Sequence, residues 1–201
     1  LKITQIFSRD KLTKVTREEL SALSNLAYSE GVFSMQENRI IQNIIDLKKI
    51  KASEILTPRV VVFLADESLD LDSFSKEKNF SKHTRIPVFT NNIENVTGYV
   101  FLQDVIEKMS NKNNNLILKD LKRQILTVPN SVNVFSLFNQ FLKKKEHIAL
   151  IVDEYGGFDG IITMEDIIET LLGLEIIDEN DKIVDMQLYA KEKWYKKRDL
   201  G

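Results

Sequence analysis

The sequence predicts an α+β fold: two tandem repeats with pseudo-two-fold symmetry, preceded by a helical extension. Three observations carry that expectation. The stretch Val96-Thr-Gly98-Tyr-Val-Phe-Leu-Gln-Asp104-Val-Ile106 is echoed by Phe158-Asp-Gly160-Ile-Ile-Thr-Met-Glu-Asp166-Ile-Ile168, with Gly, two apolar residues, three variable positions and Asp repeating at an offset of 62. Each copy is preceded by an apolar strand, and before that by a stretch of helical periodicity. Two capping boxes open amphipathic helices ahead of the repeats.

The first helix opens at Thr16-Arg-Glu-Glu19, where the Thr16 hydroxyl accepts from the third amide and Glu19 reaches back. Leu20, Leu23, Leu26 and Ala27 recur at helical spacing, and Gly31 ends the helix. A second box, Ser34-Met-Gln-Glu37, opens a helix striped by Ile40, Ile41, Ile44, Ile45 and Leu47. Within the repeats the expected order is strand, helix, strand, turn, strand, helix. The first unit places an extended segment at 60–64, a helix at 68–80 and the strand Arg85-Ile-Pro-Val-Phe89. The second places them at 125–128, 131–144 and Ile148-Ala-Leu-Ile-Val152. Glu154-Tyr-Gly-Gly157 supplies the positive φ of a tight hairpin, and Asn91-Asn92 does the same in the first unit. Polar residues at 111–115 form the link. The expected divisions are a helical linker at 1–49, repeats at 50–110 and 116–175, and an acidic segment with a basic tail at 176–201.

Composition removes several functions. Of 201 residues, 43% are hydrophobic and 29% charged, the balance of an ordinary globular chain. A net charge of −2 offers no electrostatic basis for a nucleic-acid partner. With no cysteine there is neither disulfide nor thiolate chemistry, and two histidines do not make a histidine-rich metal site. The sequence has no nucleophile elbow, no Gly-rich phosphate loop with Lys and no His–Glu zinc pattern, so no enzyme is expected. The longest apolar run, around 60–65, falls far short of the ~20 residues of a spanning helix. The chain starts at Leu1, and a fragment of a larger protein is expected.

The two repeats resemble CBS domains, and their pairing resembles a Bateman module. Glu54-Ile-Leu-Thr57-Pro58-Arg59, His83-Thr84-Arg85-Ile-Pro-Val88 and Gly160-Ile-Ile-Thr-Met-Glu-Asp166 are similar to the CorC/CNNM family of magnesium and cobalt transporters, whose bacterial members include hemolysin-like proteins. The resemblance implies a cytosolic regulatory module at the cytoplasmic face of the membrane. It implies binding of adenine nucleotide, ATP or else AMP or ADP, with Mg2+ arriving only through the nucleotide. Its implied partners are a second copy of the chain and an N-terminal transmembrane domain. Asp166 would accept from the ribose hydroxyls and Thr163 would donate to a phosphate oxygen at a helix start. Thr84 and Arg85 would reach ribose or phosphate from the other repeat, Thr57 and Arg59 would line the cleft, and Ile161 with Val88 would bracket the adenine. Phe101 stands where the second repeat has Thr163, so one working site is expected, with a vestigial one near Asp104.

Plainer readings stand beside these. Thr163-x-x-Asp166 is also a helix cap, a role that can coexist with ligand binding. His83 and His147 read as satisfied or exposed side chains, and Lys143-Lys-Lys145 as a complement to a helix dipole. Glu175, Asp178, Glu179 and Asp181 read as a solvated loop more readily than a cation site, and 191–198 as a tail. Two rival functions remain: a dimerising scaffold that binds no nucleotide, and a regulator of a soluble enzyme.

Overall fold

A computed structural model describes residues 15–173, apart from 79 and 112–114. The acidic cluster at 175–181 and the tail at 191–198 lie outside the described residues, and so does most of the 111–115 link. Two compact units divide the chain, Leu1–Asp46 and Leu47–Gly201.

The first unit is a helical hairpin of α1 (Arg17–Ser29) and α2 (Met35–Asp46). Both capping boxes form: Thr16 Oγ1 accepts from the Glu19 amide and Glu19 from the Thr16 amide, and Ser34 and Glu37 reciprocate in the same way. Gly31 turns the chain at φ +77°. Polar groups stitch the two helices together. Ser24, which is buried, donates to Asn38 Oδ1 at 2.5 Å, and Ser21 donates to Gln42 Oε1 at 2.5 Å. The apolar stripe of α1 is less covered than its periodicity suggests, for Leu20, Leu23 and Leu26 remain about half exposed within the chain.

The second unit holds two small sheets with helices packed against them. In chain order it runs α3 (Ala52–Ile55), β1 (Thr57–Pro58), β2 (Ala65–Asp66), α4 (Leu71–Ser75), a 3-10 turn (Phe80–Lys82), β3 (Arg85–Phe89), β4 (Val96–Phe101) and α5 (Leu102–Ser110). A 3-10 turn (Leu118–Leu121), β5 (Leu126–Pro129), α6 (Val134–Lys144), β6 (Ile148–Val152), β7 (Phe158–Thr163) and α7 (Met164–Leu172) follow. One sheet has the order β2-β3-β4 and the other β1-β7-β6-β5. In each repeat the first strand runs parallel to the second and the second antiparallel to the third, the mixed α+β arrangement expected. Even the irregularities match: register shifts fall between Val88 and Phe89 and between Ile151 and Val152. The hairpin turns place Asn91 at φ 60° and Gly156 at φ 82°, as their residue types require.

Two expected elements of the first repeat are displaced. The extended stretch at 60–64 is not a strand; the chain turns after Pro58, with the Val61 amide on the Pro58 carbonyl, and pairing resumes only at Ala65. The helix expected over 68–80 shrinks to α4. Its Asp70 cap accepts from the Ser73 amide, and Leu71 and Phe74 are its buried side chains. The following Lys76, Glu77 and Lys78 offer no apolar residue to the core, so packing does not extend the helix. In the second repeat the helix expected over 131–144 starts at Val134, capped by Asn133, and its Val134, Leu137 and Phe141 are all buried.

The packing crosses the linear order of the repeats. Thr57 and Pro58, near the start of the first repeat, pair antiparallel with Ile161 and Gly160 of the second. Ala52 and Leu56 are buried in one core with Leu137, Phe141, Ile151, Ile162 and Ile167. Conversely, Arg123, ahead of β5, bridges to Tyr99 of β4, and Leu118 joins the other core with Phe74, Ile86, Val100 and Val105. Each repeat thus finishes the sheet of its neighbour.

The glycines of the repeated motif explain how closely this is done. A Cβ on Gly160 would run into the Thr57 carbonyl oxygen, and one on Gly98 into the Arg123 carbonyl oxygen. Where the Arg123 segment crosses, Lys122 Nζ donates to Glu67 Oε2 at 2.6 Å and approaches Thr97 Oγ1 at 3.0 Å. The Glu67 side chain is only 8% exposed, and its hydrogen bonds to Lys122, Thr90 and Thr97 lower its carboxyl to about 2. Because the folded value lies below the unfolded one, this stabilisation is complete above about pH 4.5 and is lost as pH falls toward 2. Urea unfolding of the parent and Glu67→Gln proteins at pH 7, 5 and 3 should show the parent's advantage, up to about 3 kcal/mol at neutrality, shrinking with acid. A constant gap would contradict this origin.

Candidate functional site

In the second repeat, β7 hands over to α7 at Thr163. Its backbone is extended (φ −107°, ψ 169°) and it caps the helix. The Thr163 amide and hydroxyl both donate to Asp166 Oδ2, at 2.6 and 2.7 Å, and the Asp166 amide returns to Thr163 Oγ1 at 3.4 Å. Asp166 as a residue is half-buried. Burial pushes its carboxyl up, while the Thr163 hydrogen bonds pull it down. Thr57 lies beside this turn, its strand paired to Ile161, and both residues are half-buried. The structure therefore brings Thr57, Ile161, Thr163 and Asp166 together around the start of one helix. The residues expected to hold a ligand are those that form this cap, and the single hydrogen of the Thr163 hydroxyl, expected on a phosphate, is given to Asp166 here.

Four other expected residues lie elsewhere. Arg59 continues past Thr57 toward the far end of β7, its amide on the Asp159 carbonyl. Its guanidinium is held by Glu94 at 2.8 Å and by the Phe158 carbonyl at 3.2 Å. Thr84 and Arg85 open β3 in the first repeat, where the Thr84 carbonyl accepts the Leu102 amide and the Arg85 guanidinium lies over the Phe101 ring at 5.6 Å. Among the described residues no carboxylate is paired with Arg85. Val88, read as an adenine contact, is fully buried in the first core and faces no crevice.

The equivalent corner of the first repeat is occupied by protein. Phe101 takes the place of Thr163, and α5 has no side-chain cap there. Asp104, the counterpart of Asp166, is bound by Arg123 Nη2 at 2.5 Å, and the same guanidinium lies over Phe101 at 5.3 Å. Arg123 stands where Thr57 stands in the other sheet. Sequence reasoning passed over it because it belongs to no motif. The signal was the crossing segments' own offset of 66, from Thr57 to Arg123, which differs from the offset of 62 between the glycines.

The two corners are linked. The Tyr99 hydroxyl donates to Glu146 Oε2 at 3.4 Å. Burial raises the Tyr99 hydroxyl, Glu146 raises it further, and Arg123 and Arg85 oppose both. The next residue, His147, accepts the Met164 amide at the first turn of α7, as Thr84 accepts Leu102. His83 packs its ring on Phe63. No helix among the described residues is long and apolar enough to cross a membrane.

Comparison with known proteins fixes the family. A family model of the CBS domain matches residues 118–173, the second repeat. The CBS domain of a bacterial CNNM/CorC family Mg2+ transporter superposes with a TM-score of 0.77 at 27% identity, covering 82% of this chain and 100% of that one. The chain is a CBS-domain pair of the CNNM/CorC family. Another structure of a CBS domain from this bacterial transporter family, in complex with ATP, matches with a TM-score of 0.66 at 26% identity, covering 69% of this CBS pair and 99% of that chain. A UPF0053 protein of Synechocystis sp. is 35% identical over 192 residues, 95% of this chain and 55% of the relative. Hemolysin C of Brachyspira hyodysenteriae is 38% identical over 146 residues, 73% of this chain and 53% of the relative. The CBS pair thus spans about half the length of these relatives.

Proposed function

We propose that this CBS pair is the nucleotide-sensing regulatory module of a magnesium transporter, binding one ATP per chain, with Mg2+ carried by the nucleotide, and gating a membrane domain at its cytoplasmic side. The observation that carries the reading is the asymmetry of the two corners. At Asp166 one carboxylate oxygen takes both Thr163 hydrogen bonds, and Oδ1 is left to accept ribose hydroxyls. At Asp104 the carboxylate is already neutralised by Arg123 and flanked by Phe101. Thr57 and Ile161 line the Asp166 corner, Ile161 offering its apolar side chain to the base.

Phosphates leave such a corner toward cations and helix amides. The Thr163 turn supplies the amides, Thr84 and Arg85 supply the approach from the first repeat, and among the described residues Arg85 has no carboxylate to give up. Arg59 joins only by exchanging Glu94 for phosphate. The related ATP complex supports ATP over a nucleotide-free scaffold. Gating follows from linkage: ATP–Mg2+ shifts the transporter only to the extent that it binds one arrangement of the module better than another. A homodimer provides two such modules to one membrane partner.

Isothermal titration with ATP, ADP and AMP, each with and without Mg2+, tests the proposal. One equivalent of ATP per chain is expected. Flat traces for all three nucleotides would leave the scaffold reading in possession.

A further inference from the structure

Beside Arg85 lies a second guanidinium that no part of the proposed site uses. Arg85 and Arg123 lie over the same Phe101 ring, at 5.6 and 5.3 Å. Below them Tyr99 reaches Glu146, whose neighbour His147 holds the first turn of α7. An unbroken chain of contacts thus runs from the arginine pair to the Thr163 corner. Arg85 comes from the start of a strand in the first repeat; Arg123 comes from the segment that leads into the second. Of the two, only Arg123 carries a carboxylate partner among the described residues, and that pair is open to solvent, with side chains 51% and 31% exposed. Exposed ion pairs of this kind contribute little and are screened, so an approaching polyanion competes with Asp104 on favourable terms.

We propose that Arg123 reads the terminal phosphates of the nucleotide, leaving Asp104 when a triphosphate arrives and staying on it when a monophosphate does. The inference rests on ATP occupying the Thr163–Asp166 corner. A nucleotide whose ribose is held at Asp166 sends its phosphates toward Arg85, and only a longer phosphate chain extends to the second guanidinium on the same ring. Release of Arg123 unties the first turn of α5 from the segment that crosses into β4. Nucleotide length is thereby converted into a change in how the two repeats are fastened, a contact difference between states that can shift an equilibrium.

Two substitutions of opposite sign test this by titration of the whole chain with ATP–Mg2+ and with AMP. Arg123→Gln should weaken ATP about tenfold, the loss of one charge-assisted contact, with AMP unchanged within about twofold and the melting temperature little altered. Asp104→Asn frees the guanidinium and should tighten ATP about threefold while leaving AMP alone. Equal losses for ATP and AMP in Arg123→Gln, or an unchanged ATP-to-AMP ratio in both variants, overturn the inference while the nucleotide site stands. A parent protein that binds neither nucleotide removes the site itself, and this inference with it.

Discussion

Gly160→Ala is expected to cost about 2–4 kcal/mol of folding stability, as much as emptying part of a core. The added methyl would meet the Thr57 carbonyl oxygen and the Leu56 side chain. Backbone cannot yield as a flexible side chain can, so the short strand β1 must move off β7. That displaces the Thr57–Ile161 and Pro58–Gly160 pairing and loosens Leu56 and Ala52 in the core behind it. Gly98→Ala should cost a similar amount, because its methyl meets Arg123 and Lys122 in the same way. Gly157→Ala is the contrast: the atoms nearest its methyl belong to the Asp153 carboxylate, a side-chain end that can shift by giving up its hydrogen bonds to the Tyr155 and Gly157 amides. Urea unfolding of the three variants decides the matter. A Gly160→Ala cost under about 1 kcal/mol would mean the crossing segment is not held as described.

Thr163→Ile carries the largest expected effect on ligand binding, a loss of ATP affinity beyond about a hundredfold, from two hydrogen-bonding roles removed and a branched side chain put where the proposed site places a phosphate. The substitution also removes the α7 cap, costing about 1 kcal/mol of stability. It leaves Asp166, whose carboxyl burial already raises, with one donor fewer. The fold should survive, since Ile162 and Ile167 on either side stay in their core. Titration with ATP alongside thermal melting separates the two effects. Retained affinity in a folded variant would remove Thr163 from the site, and with it the reading built on that corner.

What the sequence made legible follows from what repeats at short range. Capping boxes at Thr16 and Ser34, the hairpin glycine at 156 and the continuously apolar strands around Ile86 and Ala149 are local, and their chemistry appears in a few consecutive residues. Thr163 and Asp166 were legible for the same reason, being three apart at the start of a helix. The helix expected at 68–80 misled because polar residues there tolerate helix without requiring it, and only burial of Leu71 and Phe74 decides where it stops. Pairing of Thr57 with Ile161, or of Arg123 with Asp104, leaves no local trace: the partners are separated by a whole repeat or by a link, and their meeting depends on which sheet each short segment joins. Gly98 and Gly160 were seen as parts of a motif. Their reason, room for another stretch of backbone, needed three dimensions.

The reciprocal pairing also decides where a pull on the segment ahead of Thr57 is felt. Residues 47–58 are covalently continuous with the helical hairpin that precedes them, yet they are built into the sheet of the later repeat. A tug arriving from the amino-terminal side is therefore delivered past the nearer repeat to the strand beside Thr163 and Asp166. The same tether works in reverse, so strain generated at that corner has a short covalent route back toward the start of the chain.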